Sequence, residues 1–152
     1  MDDNHKLVDQ AIVMAVAAHS GQVDKGGKSY IFHPLRMMLK MDTIEEKIVA
    51  ILHDVIEDTF WSMNDIKYWN DDPVVLNAIA AMTHESGVSY FDYIDIVNAN
   101  PIARKVKLAD LQDNMDLSRI PNPTQKDFTR IEKYKKAQAI LLGYKPVEWR
   151  SK

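Results

Sequence analysis

The sequence predicts an all-α protein, a compact bundle of about seven or eight helices, and two observations carry that prediction. Apolar residues recur at three- and four-residue spacing through most of the 152 residues, and no stretch alternates convincingly like a half-buried strand. Helix-start signals punctuate those runs. Thr43 with Glu46, Ser62 with Asp65 and Ser89 with Asp92 have the spacing of capping boxes, and Pro34, Pro73 and Pro101 stand where helices begin. Hydrophobic residues make up 46% of the chain, enough for an ordinary core without a staple. A single domain over residues 1–152 is expected, with no repeat and no low-complexity segment.

Taken in order, the first helix is expected from about Asp3 to His19, with Leu7, Ile12 and Val16 on its apolar face and Ser20-Gly21-Gln22 ending it. The polar loop Val23 to Ser29 contains Gly26 and Gly27, which permit close backbone approach and unusual dihedrals. Pro34 suits the first position of the next helix, which puts His33 at its entrance; Leu35, Met38 and Leu39 supply its core face. A central helix runs from Ile44 to about Ile56, with Ile44, Ile48, Leu52 and Val55 at helical spacing. A short helix to Trp69 and another from Val74 to Met82 follow, then a loop carrying His84 and Gly87, and a helix from Ser89 to about Asn98. Pro101 opens a long helix through about Ser118, with Ile102, Val106, Ala109 and Leu117 on one stripe. Ile120-Pro121-Asn122-Pro123 is a break, and a last helix runs from about Thr124 to Leu142, ended by Gly143.

Composition narrows the function. A net charge of −3 argues against broad nucleic-acid binding, which needs a basic face, but not against a small anionic substrate beside a bound cation. With no cysteine, disulfides and thiolate metal sites are excluded, so any metal must be held by histidine and carboxylate. The apolar run Ala11 to Ala18 is short and is preceded by Asp2, Asp3 and Asp9, where a signal peptide would be basic. No segment is long enough to cross a bilayer, and a soluble, cytoplasmic protein is expected.

The chemistry concentrates in Leu52-His53-Asp54-Val55-Ile56-Glu57-Asp58-Thr59, at the end of what reads as a buried helix. On a continuous helix His53 lies over Glu57, and Asp54 over Asp58. Three carboxylates brought together need a cation, a proton or a substrate. His33, His53 and Asp54 are the obvious first three ligands of a divalent ion. Asp110, flanked by apolar residues in Val106-Lys107-Leu108-Ala109-Asp110, is the candidate fourth, and Asn114 stacks on the same helical face. Blander readings exist for each: His33 as a helix cap, Asp110 paired with Lys107 on a solvated face, Glu57 and Asp58 as fraying residues that oppose the helix dipole. His19 reads as a structural, satisfied histidine at a helix end, and His5 and His84 carry no signal.

Together and in order, four stretches resemble the hydrolase domain of the RelA/SpoT homologue family, within the HD phosphohydrolase superfamily. They are Ala18-His19-Ser20-Gly21-Gln22; Tyr30-Ile31-Phe32-His33-Pro34-Leu35; Leu52 to Thr59; and Val106 to Asp110 with Asn114. The resemblance covers about Ala11 to Ile140 and implies an all-α HD-type fold. It implies metal ligands at His33, His53, Asp54 and Asp110, with manganese the usual ion. It implies an acidic catalytic pair at Glu57 and Asp58, and substrate contact at Asn114. The implied reaction removes pyrophosphate from the 3′ position of guanosine tetra- or pentaphosphate, and the short chain implies a small, stand-alone hydrolase.

Lys25, Lys28, Arg36 and Lys107 are candidates to neutralise substrate phosphate, with solvated surface the alternative for each. Glu57, alone or with Asp58, would order and deprotonate a water. Two places depart from the family pattern. Asp24 stands where a basic residue is usual in the nucleotide-contacting loop, and Asp116 and Leu117 follow the asparagine where a basic residue and a threonine are common. These departures favour a rival reading, the same core acting on another nucleotide or phosphorylated metabolite. A second rival, a catalytically silent binding or regulatory module, has no chemical need for all six site residues.

Overall fold

The last five residues of helix α3 (Ile44–Leu52), Ile48, Val49, Ala50, Ile51 and Leu52, are apolar on every side and all buried, so the chain must wrap that end of it. The computed structural model describes residues 3–144 and bears out the all-α class; the ends of the expected 1–152 domain lie outside the described residues. The helices are α1 (Asn4–Ala18), α2 (Phe32–Leu39), α3, the single turn α4 (Val55–Asp58), α5 (Met63–Trp69), α6 (Pro73–Met82), α7 (Tyr90–Asn98), α8 (Pro101–Asn114) and α9 (Gln125–Leu141). Helix α3 packs on α1, α2, α6 and α8, while α7 and α9 close over α8. Among the described residues the only extended pairing is one isolated bridge, Val23 with Ser29, which closes the glycine loop. No helix of the described residues is long and apolar enough to cross a membrane.

Thr43–Glu46 and Ser62–Asp65 form the expected reciprocal capping boxes, each worth about 1 kcal/mol, and Asp72 caps the helix that Pro73 opens. Ser89 caps α7 by accepting from the Asp92 N–H, but the pair is not a reciprocal box, because the Asp92 carboxylate accepts from the Ser89 hydroxyl instead of its N–H. Pro34 is the third residue of α2 rather than its first, because a Ser29–Tyr30 turn starts the helix earlier. The missing N–H of Pro34 still falls in the first turn, where no intrahelical acceptor exists.

Two helices end sooner than their apolar patterns predict. The central helix stops at Leu52, and His53 and Asp54 form a break before α4. His53 Nδ1 donates to the Ala50 carbonyl at 2.7 Å, the acceptor that the Asp54 N–H would use in an unbroken helix. The expected continuous helix from His53 to Glu57 is therefore interrupted, while Asp54 and Asp58 remain one turn apart, the Asp58 N–H donating to the Asp54 carbonyl at 3.0 Å. Glu57 and Asp58 belong to the single turn α4 rather than to the end of α3, so the dipole argument made for a continuous helix does not apply to them. Helix α8 ends at Asn114, not near Ser118, and Leu117 lies in a 3-10 turn, Leu117–Arg119. The Asp113 carbonyl, which a further helical N–H at Leu117 would take, instead accepts from the Arg119 guanidinium and the Asp116 N–H.

Candidate metal centre and adjoining cleft

The break after α3 sets the site. A carbonyl only accepts, so His53 Nδ1 carries the proton and Nε2 faces the interior. That Nε2 is buried and has no hydrogen-bond partner among the described residues. Asp54 Oδ2 lies 2.9 Å from it and Asp110 Oδ1 3.5 Å, neither in hydrogen-bonding alignment. His33, from the first turn of α2, puts its Nε2 3.1 Å from Asp110 Oδ1 and 3.9 Å from Asp54 Oδ2. The donor atoms of His33, His53 and Asp54 all lie within 4.8 Å of one another.

Donors about 2.0–2.2 Å from one ion sit roughly 3–4.4 Å apart, so small side-chain adjustments would let these close on a cation. Two imidazoles and two carboxylates fit a divalent metal, and the orphaned Nε2 of His53 is a lone pair for which the protein supplies no donor. Burial alone would lower His53, but the Asp54 and Asp110 charges outweigh it and hold its pKa well above the usual imidazole value. His33 is likewise raised: hydrogen bonds to Asp110 and Asp113 overcome its burial. Surroundings that favour a proton on these rings also favour a metal in its place.

Asp110 is buried at 5% exposure, which removes the reading of a solvated surface pair. It does pair with Lys107, whose Nζ donates to Oδ2 at 2.8 Å and sits 5.2 Å from the Tyr93 ring centroid. Asn114 Nδ2 donates to Asp110 Oδ1 at 2.8 Å, one turn further along α8. Asp110 stays ionised because Lys107 and the two imidazoles override the cost of burial.

Glu57 and Asp58 lie at the exposed rim. Glu57 Oε1 accepts from the His84 N–H, so the loop that carried no sequence signal positions one of the two acids. Partial burial, and then the Asp54 charge, raise the pKa of Glu57 against the pull of that N–H; the same two causes raise Asp58. Gln22 ties this rim to α1, its Oε1 accepting from His19 Nδ1 and its Nε2 donating to the Asp58 carbonyl. His19 is only half satisfied, since its buried Nε2 has no hydrogen-bond partner among the described residues.

Beside the cluster lies a cleft of about 200 Å³, lined in part by Asp24, Lys25, Tyr30, His33, Asn114, Arg119 and Arg130. Of the four proposed phosphate cations, Lys25 lines it, near Asp127 at 3.7 Å. Lys28 is exposed outside the cleft lining, and Lys107 is committed to Asp110. Arg36 forms a bidentate pair with Asp113, both contacts at 2.9 Å. Asp24 caps the glycine loop: its Oδ1 accepts from the Gly26 and Lys28 N–H groups at 2.8 and 2.9 Å. Gly26 is required there, because a Cβ would collide with the Arg119 carbonyl oxygen. Gly27, at φ +77°, takes the left-handed turn that closes the loop.

Several residues of this region escaped the sequence reading. Tyr30 donates its phenol to Asp54, and burial with the Asp54 charge keeps that phenol protonated. Its position in the His33-Pro34 stretch was a usable signal. Asp113 is a second acid in the core helix, open to the argument applied to Asp110. Arg119 reaches Asp113 and Asp24 from beyond the end of α8, and Arg130 pairs within its own helix with Asp127, so neither is marked by its neighbours in sequence as lining a cleft.

No protein-family model matches the chain. Among curated proteins it is similar to the bifunctional (p)ppGpp synthase/hydrolase SpoT of Escherichia coli strain K12, 38% identical over 71 residues, covering 43% of this chain and 10% of that protein. It is similar to the guanosine-3′,5′-bis(diphosphate) 3′-pyrophosphohydrolase of Aquifex aeolicus, 38% identical over 64 residues, covering 40% of this chain and 9% of that protein. A probable GTP pyrophosphokinase of Mycobacterium leprae is 26% identical over 162 residues, covering 96% of this chain and 20% of that protein. The chain thus spans from about a tenth to a fifth of the length of these relatives.

Proposed function

We propose that this chain is a divalent-metal phosphohydrolase of the RelA/SpoT homologue family, with an HD-type site. On this reading it hydrolyses the 3′-pyrophosphate of guanosine tetra- or pentaphosphate, giving GDP or GTP and pyrophosphate. The observation that carries the reading is the convergence of His33, His53, Asp54 and Asp110 beside a cleft, with a buried imidazole nitrogen left without a partner. The relatives named for hydrolysis of this nucleotide support it.

His33 and His53 would hold the ion through Nε2, and Asp54 and Asp110 through carboxylate oxygen, with manganese the ion the resemblance implies. When bound, such an ion polarises a phosphate oxygen and lowers the pKa of a water toward neutrality. Lys107 and Asn114 keep Asp110 ionised and oriented, and Tyr30 does the same for Asp54. Glu57, fixed by the His84 N–H and raised toward neutrality, takes the proton of the attacking water, with Asp58 as its neighbour in that role. Water oxygen bonds to the phosphorus on the 3′ oxygen, the bond from that phosphorus to the 3′ oxygen breaks, pyrophosphate departs, and the 3′ oxygen becomes a hydroxyl by taking the proton that the acid pair removed from water. Lys25, Arg119 and Arg130 give the cleft its positive charge, and Asn114 stands between cleft and metal ligands.

The second reading, another nucleotide or phosphorylated metabolite, is favoured by Asp24 and Asp116, two carboxylates in the cleft wall. One assay separates the two. Protein with manganese is incubated with guanosine tetraphosphate, with a panel of other nucleotides, and with ATP plus GTP, and products are resolved by chromatography. Release of pyrophosphate and GDP from the tetraphosphate, abolished by EDTA, is expected; its absence overturns the assigned substrate. Glu57→Gln should keep the metal and lose turnover by at least about 100-fold, and unchanged turnover would move the base role to Asp58.

A further inference from the structure

The two imidazoles of the centre are held from behind by unlike partners. His53 Nδ1 donates to a neutral backbone carbonyl, that of Ala50. His33 Nδ1 lies 2.6 Å from Asp113 Oδ2, a carboxylate brought from α8, and both side chains are buried at 5% and 7% exposure. Asp113 is itself clamped. Arg36 binds both its oxygens at 2.9 Å, and Arg119 Nη2 reaches Oδ2 at 3.1 Å and also donates to its main-chain carbonyl. Two guanidinium groups fix Asp113 as an anion with its acceptor oxygen aimed at His33.

From this geometry we propose that Asp113 is the positioning residue of the metal centre. It holds the His33 ring with the proton on Nδ1 and Nε2 turned toward Asp54 and Asp110, and it makes that nitrogen the stronger donor of the two imidazoles. The inference rests on the metal reading of the site. An imidazole that binds metal through one nitrogen is oriented by what its other nitrogen meets, and a carboxylate there raises ligand basicity more than a carbonyl does. Asp113 and Asp110 stand on the same face of α8, so one rigid helix places a ligand and orients the ligand from α2. Arg119 also lines the cleft, so the clamp on Asp113 forms part of the wall that faces a substrate.

The alternative is that Asp113 is only a staple between α2 and α8, and metal binding measured apart from turnover separates the two. Free Mn2+ is followed by its electron paramagnetic resonance signal, and Co2+ by its visible absorption bands, for wild type and Asp113→Asn. As a positioning residue, Asp113→Asn weakens Mn2+ binding about 10- to 100-fold and shifts the Co2+ bands, while the metal-free helix content is kept. A lower melting temperature with Mn2+ affinity and Co2+ bands unchanged overturns the proposal. Should Asp113→Asn not fold, the wild type loaded with Zn2+ decides by long-range 1H–15N correlation of its histidines. His33 must carry a proton on Nδ1, and an unprotonated or metal-bound Nδ1 overturns the assignment. If wild type binds neither Mn2+ nor Co2+, or His53→Ala binds them equally well, the metal reading fails and takes this inference with it. Tight wild-type binding that Asp113→Asn leaves untouched defeats the inference alone.

Discussion

Asp110 and Asp113 stand one turn apart on α8, with side chains equally buried at 7% exposure, yet they sit in opposite situations. Asp113 meets Arg36, Arg119 and His33, each at hydrogen-bonding distance, and both its carboxylate oxygens are satisfied. Asp110 meets Lys107, Asn114 and two imidazoles, one of which keeps a buried nitrogen without a partner. Burying a carboxylate is costly, and both positions meet that cost with cations. The difference lies in what remains unsatisfied. Around Asp113 both carboxylate oxygens are met and the atom left over is Arg119 Nε, whereas beside Asp110 the atom left over is His53 Nε2, the nitrogen that the proposed cation would take. His33 belongs to both, one ring nitrogen facing each carboxylate.

That contrast can be broken from the open side first, where the expected effect is largest. Mn2+ at about 100 times its dissociation constant should add about 2.7 kcal/mol of stability by mass action, or roughly 5–10 °C in melting temperature for a chain of this size. EDTA should remove that increment, and His53→Ala or Asp54→Ala should abolish both it and turnover. Identical melting of wild type with EDTA and with added Mn2+ would mean that the Asp110 half is as closed as the other.

On the closed side the effect is smaller and needs no metal. Arg36→Met removes two charge-assisted hydrogen bonds from a buried carboxylate but leaves Arg119 and His33 on it. Because the Arg36 side chain is 34% exposed, the loss should be about 1–2 kcal/mol, a drop of roughly 3–6 °C measured in the metal-free protein. No change in melting would mean that Arg119 alone satisfies Asp113.

The smallest effect is the acid limb. Hydrogen bonds from His33 and Arg36 hold Asp113 far below the usual carboxylate value, overcoming its burial. A depressed folded-state pKa contributes stability that is fully present above the unfolded value of about 3.9 and is lost as pH falls through the folded one. Metal-free wild type should therefore lose stability steeply below about pH 4, and Asp113→Asn should start lower at neutral pH but fall less steeply. Parallel acid limbs for the two proteins would show that Asp113 carries no such linkage.

Much of this was legible in the sequence, for a local reason. Helix starts depend on side chains three residues apart, so Thr43 with Glu46 and Ser62 with Asp65 announced their caps, and apolar spacing announced the helices behind them. His33, His53, Asp54 and Asp110 were readable because an ionisable residue flanked by apolar ones must find a partner, and their convergence met that expectation. What the sequence could not decide was where helices stop and which partner each charge takes. The central helix ends at Leu52 because one imidazole nitrogen takes the carbonyl of Ala50, a choice that apolar periodicity does not register. Arg36, a plausible phosphate ligand by spacing, is held by Asp113, and Asp24, a missing cation by resemblance, caps its own loop. Such pairings depend on side chains that meet only after α2 and α8 pack on α3. Tertiary structure alone therefore decided that Asp113 meets His33 and two guanidinium groups while the Asp110 cluster leaves His53 Nε2 without a hydrogen-bond partner among the described residues.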